Sequence, residues 1–278
     1  MLGLCGFADE ISPDLDEQVR VCRACGMSRF ELRSVDGINV LDFDRTLRER
    51  VGRTLRDAGM SVACIGSPVG KVKISEPWDA HFARFKTAVE LAEFFDARLI
   101  RLFSYYAADD RDDIAHHRDE VVRRLRAKVE YLGSRDIVLV HENESHIFGE
   151  RGVACLDLMR SIDSSKLRSA FDFANFIVGP GERPRDNWPM LKPYTAHFHI
   201  KDARLGDRAI VPAGEGDGDI GPILADAYGG GYRGLVSLEP HLAAAGQFSG
   251  FSGPQLFTRA VAALRDVCRA HNVPLEGN

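Results

Sequence analysis

The chain has 278 residues, 45% of them hydrophobic and 28% charged, the balance of a folded globular protein with room for one large domain or two smaller ones. Its 36 basic residues against 41 acidic ones give a net charge of −5, which leaves no electrostatic footprint for nucleic acid. No apolar run reaches the ~18 residues of a membrane span, and "MLGLCGFADE" has no basic segment ahead of its apolar stretch. Neither a membrane span nor a secretory leader is expected, and a cytoplasmic location follows as the default.

Short apolar runs then alternate with longer amphipathic stretches. "LGLCGFA" (2–8) reads as a strand, followed by a helix from about Asp14 to Cys25. That helix holds a C-x-x-C pair, Cys22 and Cys25. With no second pair and no thioredoxin-like strand just before it, all six cysteines read as buried structural thiols. "RFELR" (29–33) is a second strand, backed by the helical "DRTLRERVGRTLRDAG". "SVACIGS" (61–67) is a third, with an amphipathic helix over 78–95, and "RLIRLFS" (98–104) a fourth, with a helix across 114–134.

"DIVLVHE" (136–142) gives the fifth strand and "VACLDLMRSI" the fifth helix. "LRSAFDFAN" (167–175) gives the sixth, with a poor short helix near "DNWPMLKPY". "TAHFHIKD" (195–202) is the seventh, followed by a Gly-rich loop and "GPILADAYGGG". "GLVSLEPH" (234–241) is the eighth, and "PQLFTRAVAALRDVCRAH" the last helix. Eight strand–helix units predict a single (β/α)₈ TIM barrel over 1–278. An open doubly wound sheet is the rival, but no G-x-G-x-x-G follows the first strand.

In such a barrel the C-terminal strand ends converge on one face and carry the chemistry. Strand five delivers Glu142, with Glu144 and His146 just beyond it. Strand six delivers Asp172, with Asn175 three residues on. Strand seven delivers His197 and His199, with Lys201 following, and strand eight delivers Glu239 and His241. His197 and His199 are two apart and so share one side of their strand.

Glu142, Asp172, His199 and Glu239 come from four consecutive strands, and three carboxylates placed together repel unless something positive joins them. One divalent metal ion removes the conflict. A set of one imidazole and three carboxylates suits Mn²⁺ first, with Mg²⁺, Co²⁺ or Zn²⁺ as alternatives, over a thiophilic metal. Taken singly, each residue has a plainer reading: an ion-paired loop Glu, a core His, or an Asp that caps the next turn.

"HENE", "FDFAN", "HFHIKD", "VPAGEGDGDI" and "SLEPH", in this order, resemble the xylose-isomerase-like barrels. That group includes sugar phosphate isomerases and epimerases, ketose 3-epimerases and inosose dehydratase. The resemblance is close over the second half of the chain and architectural over the first. It implies Glu142, Asp172, His199 and Glu239 as metal ligands, with Glu142 and Glu239 doubling as the acid/base pair on either face of a sugar. The epimerases place a substrate-binding His where this chain has Asn175, and Arg204 lies one residue off the spacing of their loop Arg.

The activity implied is a divalent-metal-dependent sugar isomerase or epimerase that abstracts a proton beside a carbonyl through a stabilised enediolate. A dehydratase or lyase acting on a cyclic polyol or keto sugar starts with the same step, and a sugar-binding barrel without chemistry is the non-enzymatic alternative. An apurinic endonuclease would need several metals and a basic face. The substrate expected is a small carbohydrate or polyol bound by Asn175, His197, Lys201, Arg204, Glu144 and Phe7, with Trp188 as a second aromatic wall. A homo-oligomer is compatible with the chain, though no helix face carries a clear interface stripe. "GEGDGDIG" (214–221) has amides able to hold an anion, but its acidic residues argue against phosphate.

Overall fold

A computed structural model describes residues 1–109, 111–246 and 249–277. Eight strands form a closed parallel barrel: β1 (Gly3–Gly6), β2 (Arg29–Leu32), β3 (Ser61–Ile65), β4 (Leu99–Leu102), β5 (Val138–Glu142), β6 (Leu167–Asp172), β7 (Thr195–Ile200) and β8 (Leu235–Leu238). They lie in chain order around the ring, and β1 closes it by pairing with both β8 and β2. The helices between them are α1 (Leu15–Ala24), α2 (Arg45–Asp57), α3 (Trp78–Phe95), α4 (Arg118–Leu132), α5 (Gly152–Ile162), α6 (Phe173–Val178), α7 (Pro184–Leu191), α8 (Ile220–Gly229) and α9 (Gly253–Ala270). The expected barrel is the observed one.

Local chemistry sets the helix starts. Asp14 and Asp44 accept hydrogen bonds from the amides of Glu17 (2.8 Å) and Leu47 (2.7 Å), capping α1 and α2. The largest difference from the sequence expectation lies at strand six. It ends at Asp172 instead of running to Asn175, because the Asp172 carboxylate accepts from the Asn175 amide at 2.8 Å and starts α6. The plain reading of Asp172 as a cap therefore holds, and one carboxylate oxygen is left for other work. All six cysteines are free and buried.

The strands are buried on both sides. Their outward residues pack under the helices: Phe171 lies against Phe173, Phe176 and Trp188. Trp188 therefore serves this outer layer, with its indole N–H donating to Asp226 at 2.7 Å, and lines no sugar site. Inside the barrel, Cys64, Val140 and Ala170 form a small apolar plug. Above the plug the inward positions turn polar, and that layer holds the site.

One buried charge serves no site. Lys128 on α4 is fully buried among Trp78, Phe85 and Tyr105, and its amine is hydrogen-bonded to the Tyr105 hydroxyl. Burial, helped by Arg124 and Arg123, pulls its pKa well below the ordinary lysine value. The unfolded chain then binds a proton that the folded one refuses, so stability rises with pH until the unfolded lysine titrates near ~10.4. Lys128→Met is expected to stabilise the fold by about 1–2 kcal/mol at pH 7. Urea unfolding at pH 7 and pH 9.5 checks this, because the variant's advantage shrinks at the higher pH.

Candidate active site

The segment "HENE" at the end of β5 divides its four side chains between four surroundings. His141 points outward, its Nε2 2.9 Å from Ser104 Oγ, and burial holds it neutral with a pKa of about 4. Glu142, one residue on, points to the barrel axis. Asn143 clamps the neighbouring strand: its amide group donates to the Asp172 carbonyl at 3.0 Å, and its side-chain oxygen accepts from the Asp172 amide at 2.9 Å. Glu144 has left the strand and pairs with Lys71 at 2.7 Å on the rim.

Glu142, Asp172, His199 and Glu239 are all buried, and each offers a ligand atom within 4.8 Å of the others. The register accounts for this. Asp172 pairs directly with His199, and Ser237 pairs with His199 on the other side, which places Glu239 just above. His199 Nδ1 lies 3.3 Å from Glu142 Oε1 and 3.7 Å from Glu239 Oε2, yet makes no hydrogen bond. Asp172 Oδ2 likewise lacks one, with Lys201 Nζ 3.1 Å away.

Electrostatics show what these atoms need. Burial alone would push the Glu142 carboxyl up, but His199 and Arg101 outweigh it and hold the pKa down at about 2. Burial would lower His199, but Glu31 and Glu142 raise it well above the ordinary imidazole value. Burial, joined by the charges of Glu142 and Glu239, lifts Asp172 to about 7 against the pull of Lys201. His199 Nδ1 and Asp172 Oδ2, both buried and without a hydrogen bond, face the other two carboxylates where a cation fits, and the donor set is that of a hard or borderline divalent ion.

The histidine is oriented from behind. His197 Nε2 lies 2.8 Å from Glu31 Oε2, and His199 Nε2 lies 3.3 Å from both Glu31 oxygens. A carboxylate on the far nitrogen fixes the ring so that Nδ1 faces the ligand cluster. His197 is thus packed behind the cluster and does not line its opening. Phe7 lines one side, its ring edge-on to His199 at 5.2 Å.

Three buried cations complete the layer. Arg33 pairs with Asp9 at 2.7 Å and Glu239 at 3.0 Å; Arg101 with Glu142 at 3.1 Å and Glu239 at 3.4 Å; Lys201 with Asp172 at 3.1 Å and Glu239 at 3.4 Å. The guanidinium carbons of Arg33 and Arg101 each sit 4.7 Å from the centre of the Phe7 ring. Asn175 donates to Glu142 Oε1 at 3.2 Å and so reaches the cluster. Arg204 does not: it is half exposed and pairs with Asp207 of its own turn at 2.8 Å. The near-miss in its spacing reflects this turn, which carries the side chain away from the barrel axis.

Sequence reading missed Glu31, Arg33 and Arg101. Each was visible as a charge in "RFELR" or "RLIRL", two residues apart from an inward neighbour, and the parity applied to His197 and His199 would have found them. The Gly-rich loop, whose acidic residues argued against a phosphate site, is closed on itself. Its amides are already taken by a carboxylate of the chain itself: Asp202 accepts from Gly214 (2.8 Å), Gly216 (3.2 Å) and Gly218 (2.9 Å).

The residues and architecture place the chain in a known group: it belongs to the xylose isomerase-like TIM barrel family, whose model matches residues 19–267. Among curated proteins, a 3-dehydroshikimate dehydratase of Bacillus anthracis is 22% identical over 182 residues, 66% of this chain. The match spans 64% of that relative's length. A solved probable 3-dehydroshikimate dehydratase from Bacillus anthracis superposes with a TM-score of 0.71 at 18% identity, over 95% of this chain and 98% of the other. A D-tagatose 3-epimerase-like protein superposes with a TM-score of 0.76 at 15% identity, over 98% of each chain. A xylose isomerase-like barrel of Mycobacterium smegmatis, solved in complex with magnesium, gives 0.71 at 17% identity over 97% of each chain. At these identities the structural likeness shows the fold. No helix among the described residues is long and apolar enough to cross a membrane.

Proposed function

We propose that the protein is a divalent-metal-dependent enzyme that removes a proton beside the carbonyl of a small polyhydroxylated substrate, isomerising or epimerising it. The observation that carries this reading is the convergence of Glu142, Asp172, His199 and Glu239, with the orphaned His199 Nδ1 between two of the carboxylates. A divalent ion held by these four would act as a Lewis acid on the negative charge that develops at the substrate carbonyl oxygen.

The chain's own residues do the rest. Glu142 is set by Arg101 and Asn175, and Glu239 by Arg33, Arg101 and Lys201, so neither carboxylate turns freely. One takes the proton from the carbon beside the carbonyl and the other returns one; return to the opposite face inverts the centre, and return to the adjacent carbon isomerises. Phe7 and the buried setting keep water from the enediolate.

A second reading, dehydration of a hydroxylated cyclic keto-acid, is favoured by the likeness to a 3-dehydroshikimate dehydratase. In that reaction the same enediolate expels the β-hydroxyl, which leaves as water with a proton from a carboxylic acid of the site.

One experiment tests both. The Mn²⁺-loaded protein is incubated in D₂O with a panel of ketoses, cyclic polyol ketones and hydroxylated cyclic keto-acids. Deuterium in recovered sugar, without loss of water, is the expected result. A dehydrated product identifies the second reading, and no exchange or water loss with any compound overturns both.

A further inference from the structure

We propose that Glu10, His241 and the outer oxygen of Glu239 form a second divalent-cation site, bridged to the first through the Glu239 carboxylate. The proposal rests on the reading of Glu239 as a ligand of the first site.

Glu10 sits in the 3₁₀ turn after β1, fully buried, and His241 follows β8 after Pro240. Glu10, Glu239 and His241 offer ligand atoms that all lie within 4.8 Å of one another. His241 Nε2 is 3.3 Å from Glu10 Oε1 and 3.5 Å from Glu239 Oε1. Donors bound at ~2.0–2.2 Å to one ion lie about 3.0–3.5 Å apart, so these separations match those of ligands that share one ion. Neither Glu10 Oε1 nor His241 Nε2 has a hydrogen-bond partner, and both atoms are buried. A buried carboxylate oxygen and imidazole nitrogen that lie 3.3 Å apart without a hydrogen bond call for an explanation, and a shared cation supplies it.

The rest of Glu10 is fixed. Its Oε2 accepts from the His241 amide at 2.9 Å and the Ser252 hydroxyl at 2.8 Å, which aims Oε1 at the imidazole. His241 is held in the left-handed region at φ +48°, a costly conformation for a residue with a side chain, which orients its ring toward the two carboxylates. Its partly exposed ring marks the way in for an ion.

Asp9, Glu10, Glu31, Glu142, Asp172 and Glu239 face Arg33, Arg101 and Lys201 in one buried layer, so carboxyl groups outnumber the fixed cations. Arg33 and Arg101 donate to Glu239 Oε1 at 3.0 and 3.4 Å, so an ion bound there takes the place of the longer bond, from Arg101. Occupation ties up the outer oxygen of Glu239 and so competes with proton transfer by that carboxylate.

The test is a Mn²⁺ titration of the metal-free protein, followed by metal analysis and electron paramagnetic resonance. The wild type is expected to take up a second, weaker Mn²⁺, with the six-line signal broadened by coupling across the carboxylate. His241→Ala, which keeps the backbone amide that Glu10 anchors, is expected to weaken only the second site, by at least ~10-fold. Glu10→Gln is expected to do the same, and Asp172→Asn to weaken the first site instead. Saturation of the wild type at a single ion overturns the proposal and leaves the proposed function standing. Retention of the second ion in both His241→Ala and Glu10→Gln also overturns it. A wild type that takes up no ion removes both readings.

Discussion

In Glu239→Gln, solvent exchange into substrate falls by about 10³-fold or more, and Mn²⁺ affinity falls with it. The size of the effect follows from the number of contacts that this one carboxylate makes. Arg33, Arg101 and Lys201 all reach it, and its Oε2 lies 3.7 Å from His199 Nδ1. Replacing it by an amide leaves three buried cations with one fewer anion and puts a neutral group where the proposed ion needs a charge. His199→Ala is expected to cost a comparable factor in metal affinity for a different reason. It removes the imidazole that Glu31 orients and leaves the buried Glu31 with one histidine partner, His197, in place of two. Isothermal titration with Mn²⁺ and the exchange assay read both effects, and circular dichroism confirms the fold. Wild-type metal binding in both variants would remove the ligand assignment.

Asp202→Ala is expected to lower stability by about 3–5 kcal/mol. The carboxylate is buried, and the loop from Gly214 to Gly218 is wrapped around it through three backbone amides. With the oxygens gone, those amides face a small cavity, and the loop must rearrange to reach water. A β-carbon on Gly216 or Gly218 would lie 2.4 or 2.6 Å from Asp202 Oδ1, so the close approach itself requires glycine at both. Asp202→Asn is expected to cost about half as much. It keeps one accepting oxygen, whereas the other, which serves Gly214 and Gly216, becomes a donor. Urea denaturation of the three proteins checks the order, and equal midpoints for wild type and Asp202→Ala would refute the account.

The existence and order of the barrel strands were legible because each is a short apolar run ended by turn residues, and every strand that was expected is present. The four clustered donors were legible for a related reason. Glu142, Asp172, His199 and Glu239 each stand at the last residues of an apolar run, where a buried charge is conspicuous. His197 and Lys201 followed from the same two-residue spacing.

Glu31, Arg33 and Arg101 were not found, and the reason is physical. In "RFELR" the apolar residues are Phe30 and Leu32, so the local pattern reads as a strand with its polar side in water. Closing the ring reverses that reading. Phe30 and Leu32 are buried in the main apolar core, while Glu31 and Arg33 point at the axis, where Glu31 meets His197 and His199 and Arg33 meets Glu239. The partners lie 166, 168 and 206 residues away in the chain, beyond any local pattern. The sequence by itself determined the strands, their order and which strand ends carry donors, because these depend on periodicity of two and on composition. Tertiary structure alone decided which charges share the axis, because only a closed barrel brings the charged ends of distant strands into one dry layer, where each charge must find its partner.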